Sequence, residues 1–181
     1  MLVSDQSDDL TLVEASACRR DRLPLPSQAE VSPGMRQLWD YWNRCRGDRF
    51  APTRAEIVPA DIKAILRSIL LIDVVGPPEH FVYRLTGTAA DAVHGHALTG
   101  KSILAQKPEA FAALLLKDMQ RLVEDRTPQR VAFDFDYGKG ERRHYEVLRL
   151  PLSEDGENVD RLLCFADYQA DDGGPPALSP R

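Results

Sequence analysis

The chain has 181 residues, enough for a single domain whose core needs no disulfide or metal. Its net charge of −5 disfavours a nucleic-acid partner, because phosphate binding requires a clustered basic surface. No apolar run approaches the roughly 20 residues that cross a bilayer, and residues 1–12 have neither the basic nor the apolar segment of an export signal. The three cysteines are odd in number and widely spaced, as is typical of reduced thiols, so the sequence predicts a cytoplasmic protein that binds neither nucleic acid nor membrane.

Both ends of the chain lack the pattern of a folded segment. Residues 1–31 mix acidic and small residues and end in a proline-containing stretch, which predicts disorder. Residues 169–181 contain Asp-Asp-Gly-Gly-Pro-Pro, which neither a helix nor a strand tolerates, so they are predicted to form a disordered tail. The ordered domain is therefore expected to span residues 32–168.

The ordered part is predicted to begin with an amphipathic helix at Ser32–Arg46. Ser32 followed by Pro33 is a strong helix start, and Gly47 is a typical stop. The apolar residues fall on one face of this helix, and both tryptophans of the protein are among them. This face is expected to cover the domain's own core or, in part, to form the contact of a homodimer. Its members are Met35, Leu38, Trp39, Trp42 and Cys45.

Five strand-like segments and one helical block follow, with the block between the second and third strands. This order predicts an α+β fold in which helices are inserted into a five-stranded antiparallel sheet and cover one of its faces. Sheet and helices would together form a cup with a pocket between them. The predicted strands are Ser68–Val75, His80–Gly87, Gln129–Tyr137, Arg142–Leu152 and Val159–Tyr168, and the helical block is Thr88–Arg126.

The pocket in the cup is the predicted ligand site, since small-molecule sites are concave and mostly apolar. The second strand alternates apolar and mixed side chains, and the helix Pro108–Arg126 has an apolar face and a solvated face that includes Asp118. Arg84 either anchors an anionic ligand or pairs with Asp91. The predicted ligand-binding residues are Tyr83, Arg84, Leu85, Phe111, Leu115, Met119 and Phe133.

A phosphate-loop pattern, G-x-x-x-x-G-K-[S/T], matches Gly95–Ser102 letter for letter. In a nucleotide-binding protein, Lys101 would reach the terminal phosphates and Ser102 would hold magnesium. The pattern requires a buried strand before it and a long helix after it, whereas Thr88–Val93 has the pattern of a helix and Pro108 follows closely. A phosphate-loop nucleotide-binding protein is therefore kept as an alternative only.

A small acid–base enzyme on the same cup is a second alternative. Its catalytic groups would be Asp134, Asp136 or His144, and these side chains would have to point into the pocket. Strand alternation instead predicts that they lie on the solvated side. His94 and His96 are interpreted as surface or capping residues rather than metal ligands, because no Cys, Asp or Glu stands at ligand spacing from them.

Three motifs together resemble the small stand-alone PAS-domain proteins of bacteria. They are Tyr-Arg-Leu-Thr-Gly-Thr at Tyr83–Thr88, Gly-x-x-Leu-Thr-Gly at Gly95–Gly100, and Leu-Pro-Leu-Ser-x-Asp-Gly-x-x-Val-Asp at Leu150–Asp160. The resemblance spans Met35–Tyr168 and accounts for the phosphate-loop string, since the group shows G-x-x-L-x-G at this place. It implies the PAS cup as the fold, and signal sensing or protein–protein contact without catalysis as the role.

The chain departs from the PAS relatives that bind chromophores. Flavin-photosensing members carry a reactive cysteine within Asn-Cys-Arg-Phe on an inner helix, whereas Asn43–Arg46 reads Asn-Arg-Cys-Arg. Haem-binding members present a histidine from the long helix before the third strand, and Pro108–Arg126 has none. No cofactor is therefore assigned and no metal site is expected. The sequence predicts a non-enzymatic sensory or regulatory module that binds a small ligand, other signalling proteins or both, and that dimerises through Ser32–Arg46.

Overall fold

The structure is a computed structural model that describes residues 17–138 and 141–169. Its described part contains a six-stranded antiparallel sheet with the strand order β1-β4-β5-β6-β2-β3. The strands are β1 (Ala17–Leu23), β2 (Ile69–Gly76), β3 (His80–Thr86), β4 (Gln129–Gly138), β5 (Glu141–Leu152) and β6 (Arg161–Gln169). The helices are α1 (Pro33–Arg46), α2 (Thr88–His94) and α3 (Glu109–Asp125), with 3₁₀ helices at Pro59–Ser68 and Ile103–Ala105.

The predicted α+β architecture is confirmed, with helices inserted between the second and third predicted strands, now β3 and β4. The expected strand number was wrong, because β1 adds a sixth strand inside the segment predicted to be disordered. It pairs with β4 along its whole length, from Ala17 opposite Asp136 to Leu23 opposite Arg130. The rest of the predicted disorder falls largely on residues 1–16 and 170–181, which lie outside the described residues.

The sequence did not predict strand β1, because four of its seven residues, Arg19 to Arg22, are charged. Charged residues are depleted in strands, although edge strands carry them to avoid pairing with other chains. Here the charges find partners on other elements, with Arg20 3.2 Å from Asp118 on α3 and Arg19 3.4 Å from Asp134 on β4. Tertiary contacts, rather than local propensity, therefore stabilise this strand.

The sheet is covered on both faces. Its inner face packs against α2, α3 and the 3₁₀ helix Ile103–Ala105, and its outer face packs against α1 and the 3₁₀ helix Pro59–Ser68. Because successive strand residues point to opposite faces, β5 supplies Val147 to the inner core and Leu148 to the outer core. The molecule thus has two hydrophobic cores separated by one sheet.

Helix α1 uses most of its apolar face within its own domain. Met35, Leu38 and Trp42 are buried, and the Trp42 indole Nε1 donates a hydrogen bond to the Pro151 carbonyl at 2.9 Å. Trp39 is half-buried and stacks on Trp42 with ring centroids 6.0 Å apart. The homodimer contact through Ser32–Arg46 stays a prediction, with Trp39 as the aromatic residue left partly exposed for it.

A β-bulge in β3 changes the face to which its side chains point. Leu85 lies opposite Leu71, whereas Tyr83 lies opposite the next residue of β2, Ile72, so Arg84 is an extra residue without a partner position. Tyr83 consequently points to the inner face and Leu85 to the outer face. The prediction that both side chains line the same pocket was wrong. Residues two apart in a regular strand share a face, but the extra residue of the bulge places Tyr83 and Leu85 on opposite faces.

Within the described residues, no helix combines the length and the apolar character that a bilayer crossing requires.

Candidate functional site

The space between the inner face of the sheet and helices α2 and α3, which we call the inner cup, is almost filled by the protein's own side chains. The ring of Phe111 on α3 meets Phe133 and Phe135 edge-on, with ring centroids 5.1 Å apart in both pairs. Tyr145 stacks on Phe135 at 5.8 Å. A cavity of about 20 Å³ remains, which is close to the room that one water molecule occupies.

Five of the seven predicted ligand-binding residues belong to this inner core. Tyr83, Phe111, Leu115 and Met119 border the small cavity, and Phe133 packs behind them. All five are buried and make the aromatic and aliphatic contacts of an ordinary core. The sequence thus predicted correctly that these five side chains meet in the cup. In the structure they pack against one another and leave almost no room for a ligand.

The remaining two predicted residues, Arg84 and Leu85, lie elsewhere. Arg84 is exposed, and the Asp91 carboxylate accepts hydrogen bonds from the Thr86 hydroxyl at 2.7 Å and the Leu98 amide at 3.2 Å in place of the expected arginine. Leu85 lies on the outer face with 47% of its surface exposed. Neither side chain faces the inner cup.

A buried charged cluster adjoins the inner cup and was missed in the sequence. Asp118 of α3 is only 2% exposed and lies 3.7 Å from Arg149 of β5, which is 1% exposed. Arg20 of β1 approaches the same carboxylate at 3.2 Å, and Gln129 donates to the Asp118 carbonyl at 2.7 Å. The prediction that Asp118 is solvated was wrong. Its spacing gave a signal, since it lies three residues after Leu115 and four before Leu122 on the buried side of the helix.

The other polar groups around the cavity are held neutral by burial. Burial, reinforced by the neighbouring His96, lowers the pKa of His94 to about 4. Burial also raises the pKa of the Cys164 thiol to about 12 and that of the Tyr145 phenol well above its ordinary value. None of these three groups is therefore poised for proton transfer near neutral pH.

His94 and His96 differ in exposure, whereas the sequence suggested surface or capping positions for both. His94 is 5% exposed and borders the inner cavity, whereas His96 is exposed and donates from Nδ1 to the His94 carbonyl at 2.8 Å. Across the described ranges, no group of three His, Cys, Asp or Glu side chains is placed to hold a metal ion.

The phosphate-loop string Gly95–Ser102 follows helix α2 rather than a buried strand. The Lys101 side chain is exposed, and the Ser102 hydroxyl donates to the Glu79 carbonyl at 2.9 Å and accepts from the Leu104 amide at 3.1 Å. The helix that Ser102 caps has only three residues. The described structure therefore has neither the preceding strand nor the long following helix that a phosphate-binding loop requires, which argues against the nucleotide-binding alternative.

The acid–base candidates lie on the outer face of β4 and β5. His144 Nδ1 is 2.7 Å from an Asp134 carboxylate oxygen, and the two residues are opposite each other in the sheet. Asp136 lies 3.8 Å from Arg142. Alternation places these groups on the face opposite the inner cup, as predicted, where they form partly exposed polar contacts rather than a catalytic pocket.

A second and larger concavity lies on the outer face, where the 3₁₀ helix Pro59–Ser68 meets β2 and β3. This outer pocket has a volume of about 370 Å³. Arg54 and Arg67 contribute to its lining, and among the described residues that line it there is no carboxylate. Its apolar walls include Ile57, Ile62, Leu66, Leu71, Leu85 and Leu163. Sequence reasoning did not anticipate it.

A family model described as "PAS domain" matches residues 30–166, which is most of the chain. The chain belongs to the PAS domain family. The resemblance to PAS-domain proteins seen in the sequence is thereby confirmed. Membership of this family places the chain among sensory signalling modules. The stand-alone bacterial character remains an expectation.

One solved structure similar to this PAS domain is the light-state structure of the blue-light photoreceptor Aureochrome1 LOV. The two share 11% sequence identity, the match covers 64% of this chain and 91% of that chain, and the TM-score is 0.44. Among curated proteins, none matches this sequence.

Proposed function

We propose that this PAS domain is a non-enzymatic module of cytoplasmic signalling that acts through contact with another protein, while its inner cup serves as a packed core. The observation that carries the proposal is the residual volume of about 20 Å³ in the cup. Pockets that enclose small organic ligands typically measure about 300 to 1,000 Å³, so a flavin or a haem has no room here. The three free thiols fit the reducing conditions of a cytoplasm.

The predicted ligand residues acquire a different role in this proposal. Tyr83, Phe111, Leu115, Met119 and Phe133 would hold α2 and α3 on the sheet, so that the surface of the domain is a fixed shape for a partner to recognise. The charged cluster at Asp118 and Arg149 would add orientation to this packing, because buried ion pairs tolerate few alternative arrangements. Output then requires a second protein or a second copy of this chain.

The test is purification of the full chain from its own host at moderate salt, followed by absorption spectroscopy, native mass spectrometry and light scattering. We expect a colourless protein that co-purifies with a stoichiometric protein partner or that doubles in mass as its concentration rises. Trp39→Ala, which removes the partly exposed ring of α1, separates the two outcomes because it should weaken only self-association through that helix.

Visible absorption bands from a bound chromophore in stoichiometric amount would contradict the packed-cup proposal. A strictly monomeric mass at high concentration, with no protein partner retained, would contradict a role in protein contact. Both readouts are independent of any colourless molecule bound on the outer face.

A further inference from the structure

The outer pocket has the size and the composition of a small-molecule site. Its volume of about 370 Å³ falls within the usual range for such sites, and its walls are mainly aliphatic. The walls come from the 3₁₀ helix Pro59–Ser68, from strands β2, β3 and β6, and from the junction between β3 and α2. Helix α1 covers the neighbouring part of the outer face and leaves this part open.

Backbone contacts keep the pocket open. The bulge at Arg84 turns Leu85 to the outer face, where it forms one wall. At the next corner, the Gly87 amide donates to the Ile69 carbonyl at 2.8 Å, and a Cβ on Gly87 would lie 2.2 Å from the Arg67 carbonyl oxygen. The β3–α2 junction therefore rests directly on the backbone of the 3₁₀ helix. Walls fixed in this way preform the site and reduce the cost of binding.

The charge of the lining is opposite to that of the whole chain. The protein has a net charge of −5, yet the charged residues that line the outer pocket are Arg54 and Arg67. The Arg54 Nη1 donates to the Ile57 carbonyl at 2.8 Å, which fixes the guanidinium against the wall, and Arg67 is exposed. A guanidinium recognises carboxylates through paired, charge-assisted hydrogen bonds, while the aliphatic walls favour an apolar body.

We propose that the outer pocket binds a small amphiphilic carboxylate. Its apolar chain or ring packs against Ile62, Leu71 and Leu163, and its carboxylate lies at Arg67 and Arg54. This site is separate from the inner cup, because Leu71 and Leu163 belong to the outer core whereas Tyr83 and Met119 belong to the inner one.

The proposal is tested by isothermal titration calorimetry of the full chain with decanoate, which is kept below its micelle-forming concentration. Decanol serves as a neutral probe of similar size. We expect one decanoate per chain, and affinity weaker by about tenfold for decanol and for Arg67→Glu, since each removes a charge-assisted hydrogen bond. Leu85→Trp, which fills the pocket from its exposed rim, should reduce decanoate binding by a similar factor. Arg84→Glu is the matched control, because this neighbouring arginine is exposed but does not line the pocket.

Amide chemical shifts map the bound probe, with Ile57, Leu85 and Thr88 expected to respond rather than Phe111 and Met119. Thermal melting of each variant verifies that it is folded. Absence of decanoate binding, equal affinity for decanol, equal losses in Arg67→Glu and Arg84→Glu, or shifts centred on the inner cup would each overturn the proposal. The first three outcomes leave the partner-contact function untouched, whereas shifts centred on the inner cup would also contradict the packed cup on which that function rests.

Discussion

The side chain of His94 illustrates how position in this fold changes the chemistry of a residue. It stands at the end of α2, borders the inner cavity and has a pKa of about 4 instead of 6.5. Burial is the main cause, the nearby His96 lowers the pKa further, and Asp91 acts in the opposite direction. The imidazole is therefore neutral in the folded protein throughout the physiological pH range.

This pKa shift predicts an acid-sensitive stability. Between pH 6.5 and about 4 the unfolded chain binds a proton at residue 94 that the folded chain does not, so the free energy of unfolding falls as the pH is lowered through this window. The total loss is about 3 kcal/mol, and His94 adds nothing further below pH 4. Urea unfolding at a series of pH values should show the loss in wild type and a somewhat smaller loss in His96→Leu, whereas His94→Leu should be the least sensitive. Equal pH slopes in wild type and His94→Leu would contradict the assignment.

The ion pair of Asp118 with Arg149 gives a second prediction at the same scale. Asp118→Asn leaves the Arg149 guanidinium buried without its charged partner, which should lower the free energy of unfolding by about 3 to 5 kcal/mol. Replacing both residues, as Asp118→Leu with Arg149→Met, should recover a large part of this loss because neither charge of the pair is then buried. Asp125→Asn on the exposed side of α3 is the control and should change stability by less than about 1 kcal/mol. Denaturant unfolding measures all three, and an unaffected Asp118→Asn variant would count against the pair.

Among the elements, helix α1 and the strands with clear alternation were predictable, because the apolar residues of their sequence patterns are the residues that the fold buries. Strand β1 and the bulge at Arg84 were not. Strand β1 forms because it pairs with the open edge of β4 and because its arginines contact Asp118, and both partners are distant from it in sequence. The bulge leaves alternation in the sequence intact, so only the pairing with β2 shows that Leu85 has changed faces. The cup residues could thus be predicted, while the outer pocket could not.

The junction of β3 with α2 offers a test at the scale of elements. Gly87→Ala places a Cβ 2.2 Å from the Arg67 carbonyl oxygen, so the 3₁₀ helix Pro59–Ser68 must move away from the junction. We expect a loss of about 1 to 3 kcal/mol, the usual range for overpacking, together with a deformed outer pocket. Thr88→Ala, at the exposed next residue, should change stability by about 0.5 kcal/mol at most. Thermal unfolding of both variants measures the difference, and similar melting temperatures would refute the close contact.

For the whole molecule, the central fact is one sheet shared by two cores. β5 and β6 lie in the interior of the strand order and contribute buried side chains to both cores, whereas β1 and β3 form the two edges. Such a layout predicts uneven local stability, since segments with paired backbone groups and buried side chains open last.

Hydrogen exchange measured by mass spectrometry should reveal this order. Amides of Val147–Leu150 and Leu162–Ala166 should exchange only through global unfolding, and those of Ala17–Leu23 should exchange much sooner. The comparison is internal, because all segments are followed in one sample. Protection of the first strand equal to that of the central pair would show that the edge is held as firmly as the centre.

The unpaired residue at position 84 has a consequence for how relatives of this protein should be compared. A relative that lacks this extra residue would pair regularly and would still present the equivalent of Leu85 to the outer face, opposite the counterpart of Leu71. A relative of equal length that pairs without a bulge would instead place that residue opposite the counterpart of Leu70 and turn it inward, crowding its cup and removing a wall from the chamber on the other side. The pairing of the hairpin, rather than its length or the identity of any side chain in it, would then mark which lineages possess that chamber.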